Sequence, residues 1–117
     1  MSKQNRSNKP ASKTGRTSRI TKSQAKKFLA RVPEDNVFWC NDGQVLRDVN
    51  ELKDALTIMS DQTFSYHSND VKKDFSNWIR DVVGDEKLAG TLETVPDRQQ
   101  AAKIVEERCN LLLSKAE

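Results

Sequence analysis

The chain has 117 residues, 32% of them charged and 35% hydrophobic, which suffices for one small domain with a modest core. No apolar run approaches the ~20 residues of a membrane-spanning helix, and the N-terminus lacks the apolar segment of a secretory signal. With one histidine and two distant cysteines, Cys40 and Cys109, no tetrahedral zinc set can be assembled. The cysteines could form a disulfide, but we predict a reduced, cytoplasmic protein without a cofactor.

The net charge of +3 conceals an uneven distribution. Residues 1–31 carry ten lysines and arginines and no acidic residue, whereas residues 32–117 carry the other ten basic residues and all seventeen acidic ones. The two parts therefore have charges of +10 and −7, which together give the +3 of the chain. This distribution indicates a basic segment attached to an acidic body.

The basic segment divides into two parts. Residues 1–17 contain almost no large apolar side chain, so we predict a disordered basic arm. Residues 18–33 are predicted to form a basic amphipathic helix or linker. The stripe of side chains from Ile20 to Val32 repeats every four residues, which places these side chains on one face of a helix. Pro33 ends this helix, since the residue before a proline is disfavoured in the α conformation.

Residues 34–117 are predicted to form a small, mostly α-helical domain of about four helices with a short N-terminal β-hairpin. The hairpin is indicated by Phe38 and Trp39, which favour a strand, followed by a turn-forming segment at residues 41–43. Neighbouring residues of a strand point to opposite faces, so one of these two aromatic side chains could be exposed and contact a partner.

Side chains that cap helices mark where most of these helices begin. Asp48, Asp85 and Asp97 each precede an apolar stripe and are predicted N-caps. Ser60 is predicted to cap only a short turn. The remaining helix is predicted to open at Asn69 or Asp70 and to end at Gly84. Its predicted buried stripe consists of Val71, Phe75, Trp78, Ile79 and Val82.

Three segments in this order resemble a known family. They read F-W-x-x-D-G, then D-V-x-E-L with M-S-D-x-x-F-x-Y-H, then D-F-x-x-W-I-R-D-V-V-G-D-x-x-L-A. The chain from about Phe38 to Arg108 resembles an uncharacterised domain-of-unknown-function family (number 5752) of short archaeal and bacterial proteins. That family has no established activity, so the resemblance implies a domain and no chemistry. The family pattern falls on Phe64, His67, Asp74, Phe75, Trp78, Ile79, Gly84, Asp85, Leu88 and Ala89.

The only histidine, His67, lies beside Tyr66 and seven residues before Asp74. Histidine titrates near neutral pH, which suits a general base or a pH switch. Catalysis needs convergent partners around such a base, and the sequence shows no Ser/His/Asp order, activated cysteine or glutamate pair. We therefore assign no catalytic residue, and we predict a candidate polar site of Tyr66, His67 and Asp74 in which His67 bonds Asp74 or a backbone carbonyl.

The basic segment is the strongest indication of a partner. Positive charges without nearby acids bind the phosphates of nucleic acid in a salt-dependent manner and carry little sequence information. Alternatively, the arm could be a solubilising tail, or could fold back on the acidic body. The candidate nucleic-acid contacts are Lys3, Arg6, Lys9, Lys13, Arg16, Arg19, Lys22, Lys26 and Lys27.

These features lead to three hypotheses about function. The first is a non-enzymatic binding or adaptor module, whose body contacts an unidentified protein and whose arm contacts nucleic acid non-specifically. The second is a small-ligand or catalytic domain organised around His67, Asp74 and Trp78. The third is a homodimeric scaffold without a ligand, joined through the last helix.

Overall fold

The structure is a computed structural model that describes residues 19–117. The predicted disordered arm, residues 1–17, lies outside the described residues. Within the described residues, helices dominate and one short antiparallel two-stranded sheet is present, as the sequence predicts. The helices are α1 (Lys22–Leu29), α2 (Val49–Ile58), α3 (Asp61–His67), α4 (Asp74–Trp78), α5 (Glu86–Leu92) and α6 (Arg98–Ala116). The strands are β1 (Phe38–Trp39) and β2 (Val45–Leu46).

Helix α1 is shorter than the predicted helix over residues 18–33. It begins after Thr21, whose side chain accepts from the backbone N–H of Gln24 while the Gln24 side chain accepts from the N–H of Thr21. It ends before Pro33 is reached, because Ala30 is already extended and the N–H of Val32 donates to the carbonyl of Arg47 at 2.8 Å. The segment after α1 is thereby held against the end of the hairpin.

The hairpin pairs Phe38 with Leu46 and Trp39 with Val45. Its turn contains Gly43 at φ 97°, a left-handed conformation that glycine adopts without steric cost. Phe38 packs on the core, whereas the Trp39 side chain on the opposite face is 70% exposed. The prediction that one of the two aromatics is exposed is therefore confirmed.

Four predicted caps are confirmed. Asp48, Ser60, Asp85 and Asp97 each accept a hydrogen bond from the backbone N–H three residues further along the chain. The segment after Ser60, predicted as a short turn, continues as α3. Residues 34–117 therefore contain five α-helices rather than about four.

The predicted start of the central helix at Asn69 or Asp70 is wrong, because α4 begins at Asp74. The Asn69 side chain instead accepts from the backbone N–H groups of Val71 and Lys72, and the N–H of Asn69 donates to the carbonyl of Lys72. These bonds close a tight turn on the Asn69 side chain, which competes with helix formation. Val71, predicted to be buried, is consequently 90% exposed.

One π-helical turn, Ile79–Val83, extends α4 and ends at Gly84 as predicted. The N–H of Gly84 donates to the carbonyl of Ile79 at 2.7 Å, a bond that spans five residues instead of four. The extra residue rotates the buried face, so Val83 is buried while Val82, which the sequence assigns to the core, is only partly buried.

Helix α6 is the element around which the other helices pack. It contacts α1, α2 and α5, and its buried face includes Val105 and Cys109. The core formed with these helices includes Leu46, Val49, Leu52, Leu56, Phe64, Phe75, Ile79, Leu88, Leu92 and Ala101. Helix α1 thus packs on α6 of the acidic body, and its Ala25 is fully buried.

Substitution of Gly84 with alanine is expected to lower the free energy of unfolding by about 1–2 kcal/mol. The reason is its φ of 94°, which costs an L-residue roughly that amount. Gly90 lies inside α5 with open space around it, so Gly90→Ala is the matched control and is expected to stabilise by about 0.5–1 kcal/mol. Urea unfolding followed by circular dichroism measures both, and equal effects of the two variants would contradict the conformational explanation.

Candidate functional site

The structure brings His67 and Asp74 together, as predicted. His67 is the last residue of α3 and Asp74 the first of α4, and the turn at Asn69 between them places His67 Nδ1 3.1 Å from Asp74 Oδ2. The other ring nitrogen, Nε2, accepts from the backbone N–H of Asn41 at 2.8 Å. Because His67 is only 5% exposed, these two bonds are its polar environment within the described residues.

This arrangement fixes the proton of a neutral His67 ring. A backbone N–H can only donate, so Nε2 must be unprotonated and the proton lies on Nδ1, where it is donated to Asp74. A general base needs a free nitrogen within reach of a substrate, and both nitrogens of His67 are occupied. The geometry therefore supports a structural role, in which His67 links the hairpin turn to α4.

Aromatic rings surround this polar pair. The His67 ring lies 5.0 Å from Phe38 and 5.3 Å from Phe75, measured between ring centroids. The indole N–H of Trp78 donates to the carbonyl of Asn36 at 2.8 Å, and the ring is almost fully buried. Trp78 therefore joins the core and has no free polar atom to offer a ligand.

Tyr66, the third residue of the predicted polar site, lies at its surface. Its ring packs edge-on against His67, with the centroids 4.9 Å apart. The ammonium nitrogen of Lys72 lies 4.2 Å from the Tyr66 ring centroid and 3.2 Å from Asp74 Oδ2. Tyr66 and Lys72 thus cover the outer edge of the histidine–aspartate pair, which further restricts access to it.

Neither cysteine is poised for chemistry. Burial raises the pKa of Cys40 and that of Cys109 to about 11. A thiol with such a pKa stays protonated near neutral pH, and the thiol is a much weaker nucleophile and metal ligand than the thiolate. Both cysteines are free. In residues 19–117, no group of three or more His, Cys, Asp or Glu side chains is placed to hold a metal ion.

Sequence reasoning missed a buried ion pair between Asp85 and Arg108. Both guanidinium-to-carboxylate bonds, Nε to Oδ2 and Nη2 to Oδ1, are 2.8 Å long. Asp85 is 1% exposed and also caps α5 through the N–H of Leu88. Arg108 follows the buried Val105 by three residues and precedes the buried Leu112 by four, so it lies on the buried face of α6; an arginine at such a position is the signal in the sequence for a buried acidic partner.

The described part of the basic segment forms an exposed surface, which we call the α1 basic surface: Arg19, Lys22, Lys26 and Lys27. All four residues are exposed. None of them takes part in an ion pair with a carboxylate of residues 19–117, whereas the nearby Arg31 reaches Glu51 at 3.9 Å. The other candidate contacts, Lys3, Arg6, Lys9, Lys13 and Arg16, lie outside the described residues.

None of the helices in residues 19–117 combines the length and apolarity required to cross a membrane. Comparison with models of known protein families, with curated proteins and with solved structures finds no match to the chain. The resemblance to the domain-of-unknown-function family therefore stays a prediction.

Proposed function

We propose that the protein is a non-enzymatic binding module whose basic N-terminal segment contacts nucleic acid with little sequence specificity, while its body contacts a protein partner. One observation carries the nucleic-acid part of this proposal. The cations of the α1 basic surface are exposed and form no ion pair with a carboxylate of the described residues, while α1 packs on α6 with Ala25 fully buried. The charges of this surface are thus available to an external polyanion.

The geometry around His67 favours this proposal over the catalytic hypothesis. Both ring nitrogens are hydrogen-bonded within the protein, Trp78 donates its only N–H to the backbone, and both thiols are kept protonated by burial. A reaction centre would need at least one such group directed at a substrate. Packing and internal hydrogen bonds account for His67, Asp74 and Trp78, so binding is the better-supported function.

The body offers a separate surface to a protein partner. Trp39 is 70% exposed on the outer face of the hairpin, and its cross-strand neighbour Val45 is partly buried. Exposed tryptophans are enriched among residues that dominate the binding energy of protein interfaces. This supports the adaptor part of the proposal, in which the hairpin and the basic segment serve different partners.

The triple variant Lys22→Gln, Lys26→Gln, Lys27→Gln is expected to bind random-sequence duplex DNA and RNA more weakly. If each lysine neutralises one phosphate, the slope of log affinity against log salt falls by about 2–3, because each contact contributes roughly 0.9. Fluorescence anisotropy at several salt concentrations measures the slope. Glutamine preserves helix propensity, so α1 is expected to persist.

The matched control carries the same three charge losses on the body, as Lys73→Gln, Lys103→Gln and Lys115→Gln; Lys103 and Lys115 are exposed, Lys73 is partly exposed, and none of the three lines the α1 basic surface. It is expected to reduce the slope by less than the α1 variant does. Equal slopes for the two variants would show that only net charge matters. Absence of binding by the unmodified full-length protein would overturn the nucleic-acid part of the proposal.

A further inference from the structure

A groove lies between α1, α6 and the turn that leads into α5. Its volume is about 590 Å³, within the range of sites that hold small organic ligands. Ile20, Phe28 and Leu111 supply an apolar lining, and Arg19, Lys87 and Arg108 supply cationic groups. The Phe28 ring lies near Gly84, the residue that ends the π-helical turn, and both line the groove.

The Arg108 guanidinium in this groove retains hydrogen-bonding capacity. An arginine has five N–H donors, and Arg108 uses two of them on Asp85. Within residues 19–117 no further acceptor bonds Arg108, and its side chain is 13% exposed where it lines the groove. The bidentate pair holds the guanidinium rigid, so its remaining donors are preorganised for an acceptor on a ligand.

The charge of the groove lining favours an anionic or phosphate-bearing ligand. Three cations, Arg19, Lys87 and Arg108, face two carboxylates, Asp85 and Glu86. Arg108 neutralises the charge of Asp85. The remaining charges of the lining are the positive ones of Arg19 and Lys87 and the negative one of Glu86. Helix α1 contributes both a wall of this groove and the α1 basic surface, so a strand bound along that surface passes the groove.

We propose that the groove receives one unstacked nucleotide of a single-stranded nucleic acid; this inference rests on the proposed function. The base would pack on Phe28, Ile20 and Leu111, as bases pack on aromatic and apolar groups of single-strand-binding proteins. The free donors of Arg108 match the acceptor atoms on a base edge. Arg19 and Lys87 would contact the flanking phosphates. A base-paired duplex cannot insert a base, so the groove confers a preference for single strands.

The test compares a fluorescein-labelled single strand of about 24 nucleotides, as DNA and as RNA, with a duplex of about 12 base pairs, which has the same number of phosphates. The full-length protein is expected to bind the single strand about tenfold more tightly, the effect of roughly 1.4 kcal/mol of stacking. Leu111→Glu places a carboxylate at the groove and is expected to abolish that preference. Leu113→Glu makes the same change two residues away, outside the groove lining, and is expected to retain it.

Nuclear magnetic resonance adds a readout that does not depend on affinity. The backbone amide signals of Gly84 and Lys87 are expected to shift on addition of the single strand and to shift much less with duplex. Equal affinity for single strand and duplex, or the same behaviour of the Leu111 and Leu113 variants, would overturn the groove proposal. In either case a salt-dependent loss of binding in the α1 lysine variant would leave the proposed function standing, so the two failures are distinguishable.

Discussion

Replacing Arg108 with methionine is expected to lower the free energy of unfolding by about 3–5 kcal/mol, because it leaves the Asp85 carboxylate buried without a counter-charge. Methionine keeps most of the volume and the helix propensity of arginine, so the loss reports the ion pair rather than α6 itself. Urea unfolding followed by circular dichroism at constant pH measures the change. A loss below about 1 kcal/mol would contradict the proposed importance of this pair.

Arg80→Met is the matched control for this experiment. Arg80 forms an ion pair with Glu93 in which both side chains are more than a third exposed, so its loss is expected to matter far less. The double variant Asp85→Asn, Arg108→Met provides a second control. Asparagine can still cap α5 at Leu88 without a buried charge, so the double variant is expected to be more stable than Arg108→Met alone.

Replacing His67 with alanine is expected to lower the free energy of unfolding by about 2–4 kcal/mol. The substitution removes the acceptor of the Asn41 N–H and the ring that packs on Phe38 and Phe75. Thermal or urea unfolding measures the loss. The unmodified protein reports the proton position. Nitrogen-15 spectra of its neutral His67 ring are expected to show the proton on Nδ1.

Tyr66→Ala is the matched control for His67→Ala. Tyr66 is the adjacent aromatic residue but is 52% exposed, so its truncation is expected to cost much less. A His67 ring protonated on Nε2 in its neutral form would contradict the bond to Asn41. A His67→Ala variant as stable as the Tyr66 variant would contradict the structural role that we assign to the histidine.

Much of the fold could be predicted because its signals are local. The caps at Asp48, Asp85 and Asp97 are recognisable since each serves a backbone N–H only three residues away. The hairpin follows from aromatic residues before a glycine-containing turn, and Gly84 marks a helix end through its own backbone preference. Each of these decisions depends on a few neighbouring residues.

The errors arise where local signals compete or where tertiary structure decides. Asn69 can cap a helix or close a turn, and the bonds from Val71 and Lys72 select the turn. A π-helical turn inserts one residue into an otherwise regular pattern, which no periodicity reveals, so Val83 replaces Val82 in the core.

The candidate site was predicted in part for the same reasons. The spacing of His67 and Asp74 suggests their contact, but the bond from Asn41 comes from a hairpin 26 residues earlier. The partner of Asp85 lies 23 residues away on another helix. Pairing over such distances depends on how α3, α5 and α6 pack against one another. These partners therefore cannot be predicted from a single sequence.

Asp85 also links the local stability of α5 to the stability of the whole domain. It caps α5 through Leu88 and holds Arg108 on α6, so α5 cannot open alone without stranding a cation in the interior. Local opening of this helix therefore exposes the cost of an unpaired charge in addition to the loss of its own contacts. The side of the groove formed by Asp85 and Arg108 is thereby fixed during folding, so the proposed ligand would not have to bear the ordering entropy of that side.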